Sequence, residues 1–170
     1  MSTVESIEAE ASDVASAVGA ILAERGLTVA VAESLTGGKL ANQLAAAGGS
    51  GDWFVGGVVA YQSDAKHRVL GVPEGPVISE EAVVGMVEGV TSMFGADSGV
   101  AASGAAGPDG QEGQPPGTTW MAASVFGVVQ TALHHFSGEP LEVLAQTQLR
   151  SLQLLRALLA KQSPEAPQGQ

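Results

Sequence analysis

Leu27-Thr28-Val29-Ala30-Val31-Ala32, followed at once by Glu33-Ser34-Leu35-Thr36-Gly37-Gly38, is the stretch on which the fold turns. Its first half is short, apolar and β-branched, the composition of a buried strand. Its second half interrupts that strand, and Gly37-Gly38 then opens a segment over Lys39–Ala47 with helical character. A buried strand that turns directly into a helix is the start of an α/β arrangement.

Upstream, Val4, Ile7, Ala11, Val14, Val18 and Ile21 recur at three-and-four spacing, which predicts an amphipathic helix stopped by Gly26. Downstream, Gly48–Gly51 forms a loop, Trp53–Tyr61 a second strand, and Ser63–Leu70 a short helix. Pro73–Pro76 is a loop. Ser79 caps a helix running to about Phe94, with Glu80 and Glu81 near its positive end. Asp97–Ala102 is a third strand, and a long loop runs from Ser103 through Gly117. Thr118–Phe126 and Val128–Phe136 read as a hairpin around Gly127, and Leu141–Leu159 as a closing helix. The expected architecture is one α/β domain over residues 1–162, a mixed β-sheet flanked by helices, with a disordered tail over 163–170. Ligands in such sheets bind beyond the carboxyl ends of strands, so the loops Glu33–Gly38, Tyr61–Lys66 and Ser103–Gly110 are expected to converge.

Composition narrows the function. With 170 residues, 45% of them hydrophobic, the chain has enough apolar content for one real core. Seven Lys+Arg against 18 Asp+Glu give a net charge of −11, a field that repels nucleic-acid phosphates and anionic lipid heads. No nucleic-acid or membrane partner is expected. There is no cysteine, which excludes disulfides, thiolate nucleophiles and thiolate metal sites and fits a cytoplasmic location. No stretch approaches the ~18 apolar residues of a membrane span, and MSTVESIEAE lacks a signal-peptide pattern.

Ser34 is the first candidate for chemistry, because it ends a buried strand just before a helix start. Such a turn can expose a hydroxyl while helix-initial amides point at an oxyanion or phosphate. The plainer reading is that Ser34 or Thr36 caps the helix, and the roles can be shared, with Thr36 capping and Ser34 reacting. A serine nucleophile needs a base. His67, His134 and His135 are poorly placed, whereas Lys66 follows Tyr61 at the end of the second strand, and serine–lysine pairing is a known variant of triad logic. A lysine base must be partly neutral, so burial has to outweigh the acidic field, with Asp64 facing solvent. Scattered histidines without HxxxH or HxH spacing give no metal site, and neither a Walker loop nor a strand-linked GxGxxG occurs.

Taken together, the loops carry a further signal. Ala32–Gly38, Trp53-Phe54 with Gly57–Val59, Tyr61–Lys66, Leu70–Pro73, Val77–Glu80, Phe94–Asp97, Ser103–Gly110, Gly117-Thr118 with Trp120, and Phe136–Gly138 occur in an order that resembles the CinA C-terminal domain family over about residues 10–160. That family includes stand-alone PncC-type enzymes that deamidate nicotinamide mononucleotide. The resemblance implies hydrolysis of the carboxamide to nicotinate mononucleotide and ammonia, with Ser34 as nucleophile, Lys66 as base and Tyr61 assisting. It implies no metal or organic cofactor, a small-molecule nucleotide substrate, and a homo-oligomer, most simply a dimer. Thr36, Gly37, Gly38, Ser103, Gly104 and Gly107 are the substrate-binding candidates, with Lys39 or Arg68 aiding a phosphate. Two departures stand out: Glu139-Pro140 and Leu144 replace a usual acidic-Arg-x-x-x-Arg run, and Gln114-Pro115-Pro116 replaces a Lys-Pro pair. Two further readings therefore stay open, a catalytically weak nucleotide-binding or regulatory module of this fold, and an amidase for another small amide.

Overall fold

The computed structural model describes residues 1–162, so the tail expected over 163–170 lies outside the described residues. Helix α1 (Thr3–Arg25) starts at a capping box in which Ser2 and Glu5 exchange side-chain and backbone hydrogen bonds. It ends at Gly26, whose φ of 64° lets its amide turn back onto the last carbonyls. Strand β1 (Val29–Glu33) follows, then helix α2 (Lys39–Ala46), the single turn α3 (Ser50–Trp53) and strand β2 (Phe54–Val59). Helices α4 (Ser63–Leu70) and α5 (Glu80–Phe94) precede strand β3 (Ser98–Gly104). The hairpin β4 (Thr118–Val125) and β5 (Val128–His135) leads into the closing helix α6 (Pro140–Lys161).

These elements form one α/β domain around a five-stranded mixed sheet of order β2-β1-β3-β4-β5. β1 is parallel to both β2 and β3, so all three strands end at the same edge. β4 runs antiparallel to β3, and β5 antiparallel to β4. Alternation along β1 decides the layers. Val29 and Val31 face a core shared with α1 and α6, while Ala30 and Ala32 face the one beneath α5. The α5 side is lined by small residues, Ala101 and Ala122 among them, which lets that helix lie close. At Gly99 a Cβ would stand 2.5 Å from Thr91 Cγ2 of α5, so only glycine fits under that crossing.

Among the boundaries that differ from the sequence reading, two have a clear cause in packing. Trp53 does not open the second strand. It ends α3, buried under α1 where Gly19 leaves room: a Cβ there would come within 2.5 Å of the indole. β1 starts two residues later than expected and keeps Glu33, which the sequence reading placed in the following loop. A buried carboxylate reads as the end of a strand, and this one is retained because two amides solvate it.

Candidate functional site

The expected convergence of three loops is met. A cavity of about 540 Å³ lies off the carboxyl ends of β1 and β3, lined by Ser34, Tyr61, Gln62, Ser63, Lys66, Val77, Ile78, Ser103, Gly104, Gln111 and Glu112. Ser34 and Tyr61 also border a smaller extension, of about 110 Å³, with Gly107 and Asp109. The Glu33 carbonyl accepts the Ala60 amide at 2.8 Å, which fastens the residue before Ser34 to the residue before Tyr61. Proximity of the two loops thus follows from sheet pairing carried one residue past β2.

Ser34 is 6% exposed and Lys66 only 1%, yet both open onto this cavity. Lys66 projects from α4 and donates from Nζ to the Tyr61 carbonyl at 2.9 Å. Burial pushes its pKa below the ordinary lysine range, and the Glu112 carboxylate partly opposes that shift. Asp64, the nearer acidic residue in sequence, is exposed and paired with Arg68 at 3.0 Å, as expected. A hydroxyl and a desolvated amine on one cavity are the two groups that serine–lysine acyl transfer requires. The Tyr61 side chain is 68% exposed at the rim, and it is the Tyr61 backbone that touches Lys66.

The turn after Ser34 departs from expectation. Thr36 does not cap α2: its Oγ1 is buried without a partner, and the N-cap is Gly38 at φ 105° with no side-chain cap. Glu33 takes that role. It is wholly buried, and its two oxygens accept the amides of Leu40 at 2.8 Å and Ala41 at 2.9 Å. The Lys39 and Asn42 amides bond the carbonyls of Thr36 and Gly38. The first four amides of α2 are therefore engaged, and the helix end does not face an oxyanion or phosphate. Thr36, Gly37 and Gly38 also lie outside the cavity walls, whereas Ser103 and Gly104 form part of them. The Ser103 hydroxyl is committed to the Val77 carbonyl at 2.6 Å.

The cations weighed for phosphate are turned elsewhere. Lys39 pairs with Glu8 at 3.1 Å and Arg68 with Asp64. Leu144 packs beside the small core cluster of Leu35, Ala102, Met121 and Val143. Among the described residues no group of three or more His, Asp or Glu is arranged to hold a metal ion, and no helix is long and apolar enough to cross a membrane.

Glu112 was not singled out in the sequence. Its backbone has a φ of 52°, a left-handed conformation that costs a residue with a Cβ about 1–2 kcal/mol. Its carboxylate repays this by accepting the amides of Val77 (3.0 Å to the nearer oxygen) and Ile78 (2.7 Å). An acidic residue between glycines in a loop expected to reach the site was the available signal; the distant partner was not.

The CinA C-terminal domain matches residues 11–159, which is most of the chain. The chain belongs to the CinA C-terminal domain family. A relative from Enterobacter agglomerans named nicotinamide-nucleotide amidohydrolase PncC is 42% identical over 143 residues, 80% of this chain and 87% of that protein. A putative competence-damage inducible protein of Desulforamulus reducens is 37% identical over 147 residues, and there the chain spans only 36% of the relative's length. In the same family, the crystal structure of competence damage-inducible protein A from Klebsiella pneumoniae superposes with a TM-score of 0.87 at 34% identity, covering 90% of this chain and 99% of that one.

Proposed function

We propose that this family member hydrolyses the carboxamide of nicotinamide mononucleotide, giving nicotinate mononucleotide and ammonia, with Ser34 as nucleophile and Lys66 as its base. The observation that carries the reading is the buried, pKa-lowered Lys66 amine opening onto the same cavity as Ser34. A relative of nearly equal length named for this activity supports the substrate class. Neutral Lys66 takes the Ser34 proton as Oγ attacks the carboxamide carbon. The resulting ammonium returns a proton to the leaving nitrogen, ammonia departs, and water then hydrolyses the acyl ester with Lys66 again as base. Since the α2 amides are occupied, the oxyanion falls to the amide directly after Ser34, that of Leu35, which borders the extension of the cavity. Tyr61 flanks the substrate from the rim.

The test is ammonia release from nicotinamide mononucleotide, with Ser34→Ala as control. Parent protein should turn over, and Ser34→Ala should lose activity by several orders of magnitude while its circular dichroism and melting temperature hold. Near-parental turnover in folded Ser34→Ala would rule out the covalent route.

One observation favours a second reading. The walls carry the carboxylates of Glu112 and, in the extension, Asp109, with Lys66 the one cation among the lining residues. Such walls suit an uncharged amide better than a phosphorylated one. A kcat/KM for the dephosphorylated riboside above that for the mononucleotide would select this reading.

A further inference from the structure

The geometry points to Glu112 as a positioning residue of this cavity: its carboxylate clasps the 105–117 loop to Val77-Ile78 and presents a fixed negative charge to Lys66. The clasp is independent of any reaction. Three contacts, at 3.1 and 3.0 Å from the Val77 amide and 2.7 Å from the Ile78 amide, join a loop before β4 to the segment entering α5. At the base of the loop, the Ala105 amide bonds the Thr118 carbonyl and the Gly117 amide bonds the Ala105 carbonyl at 2.7 Å. A turn closed at Gln111 and Gln114 holds Glu112 at its tip. A backbone held in the left-handed region persists where surrounding bonds over-determine it, and here those bonds are made by the residue's own side chain.

The second half concerns charge. Tyr61, Lys66 and Glu112 are the titratable groups bordering the cavity, and Asp109 borders its extension. On α4 itself Asp64 is held by Arg68, and His67 bonds the Val72 carbonyl through Nδ1. At the start of α5, Glu80 accepts the Thr131 hydroxyl. Glu112 is accordingly the carboxylate whose field raises the Lys66 pKa against the larger effect of burial. It holds the pH at which the amine becomes neutral above the value that burial alone would give.

This inference rests on the proposed role of Lys66 only for its kinetic arm, and the test separates the two. The chain's lysines are Lys39, Lys66 and Lys161, so the protein labelled with [ε-13C]lysine gives few resonances to titrate. In Glu112→Gln the Lys66 titration midpoint should move to lower pH, and in Glu112→Asp it should return toward the parent value. Hydrogen exchange at the Val77 and Ile78 amides should quicken about tenfold or more in Glu112→Ala, as expected when a charged acceptor is removed. Under the Lys66 mechanism the acid limb of kcat/KM follows the midpoint. If the midpoint moves but that limb does not, Glu112 keeps its role and Lys66 loses the role of base. An unmoved midpoint in a folded Glu112→Gln protein, or unchanged exchange in Glu112→Ala, overturns the inference.

Discussion

Replacing Glu33 by glutamine tests the least expected interaction in the structure. The glutamine keeps the volume of the glutamate and one acceptor oxygen, but sets an NH2 group against one of the two α2 amides. Glu33 is wholly buried, so the lost bond is not replaced by water. A hydrogen bond to a charged group is worth about 1.5–3 kcal/mol, and a buried amide left facing a donor forfeits most of it. The cost should be about 2–3 kcal/mol. For a domain of this size each kcal/mol lowers Tm by about 2–4 °C, so the fall should be about 4–12 °C. Calorimetric melting at pH 7 measures it directly. Because Ser34 leaves the same turn, turnover should fall as well, even at temperatures where the variant is folded. A Glu33→Gln protein melting within about 1 °C of the parent would refute the reasoning, since the helix end would then be solvated by something else.

Two further predictions concern Lys66 and Leu144. Between its lowered folded pKa and the ordinary unfolded value of ~10.4, the unfolded chain holds more protons at Lys66. Stability should therefore rise with pH across that window and be lost as pH falls through the folded pKa; Lys66→Met, compared with the parent by Tm against pH, should abolish this component. Leu144→Arg should cost about 1 kcal/mol of apolar packing, lowering Tm by about 2–4 °C, and leave KM for the phosphorylated substrate unchanged, because Leu144 serves the core cluster around Leu35.

Much of the site was legible because it is built from local order. The apolar run ending at Ser34, the strand ending near Tyr61 and the helix carrying Lys66 each announce themselves within a few residues. Their meeting follows from parallel pairing, which the alternation of strands and helices predicts. What stayed hidden depends on partners that no local pattern specifies. Thr36 has the right chemistry to cap α2, but Glu33 reaches over it because the turn folds back on the strand end. Trp53 resembles a strand residue until the groove at Gly19 is known. Glu112 gains its meaning from Val77 and Ile78, which lie far upstream in the chain and on another element.

The three connections around the cavity differ in how freely they can change. Ser34 sits on a short link bound tightly to the sheet and Lys66 on the helix that follows another, where an insertion would tear the Glu33–Ala60 bond or the α2 cap. The 105–117 loop is instead closed at its own base by the Ala105, Gly117 and Thr118 backbone, so strand register is independent of what lies between. Surface loops closed this way tolerate changes of length at small entropic cost. Apart from the Glu112 clasp the loop is thus an interchangeable part, and transplanting another sequence between Ala105 and Gly117 that keeps a glutamate at position 112 offers a route to altered amide selectivity while the hydroxyl and the amine stay in place.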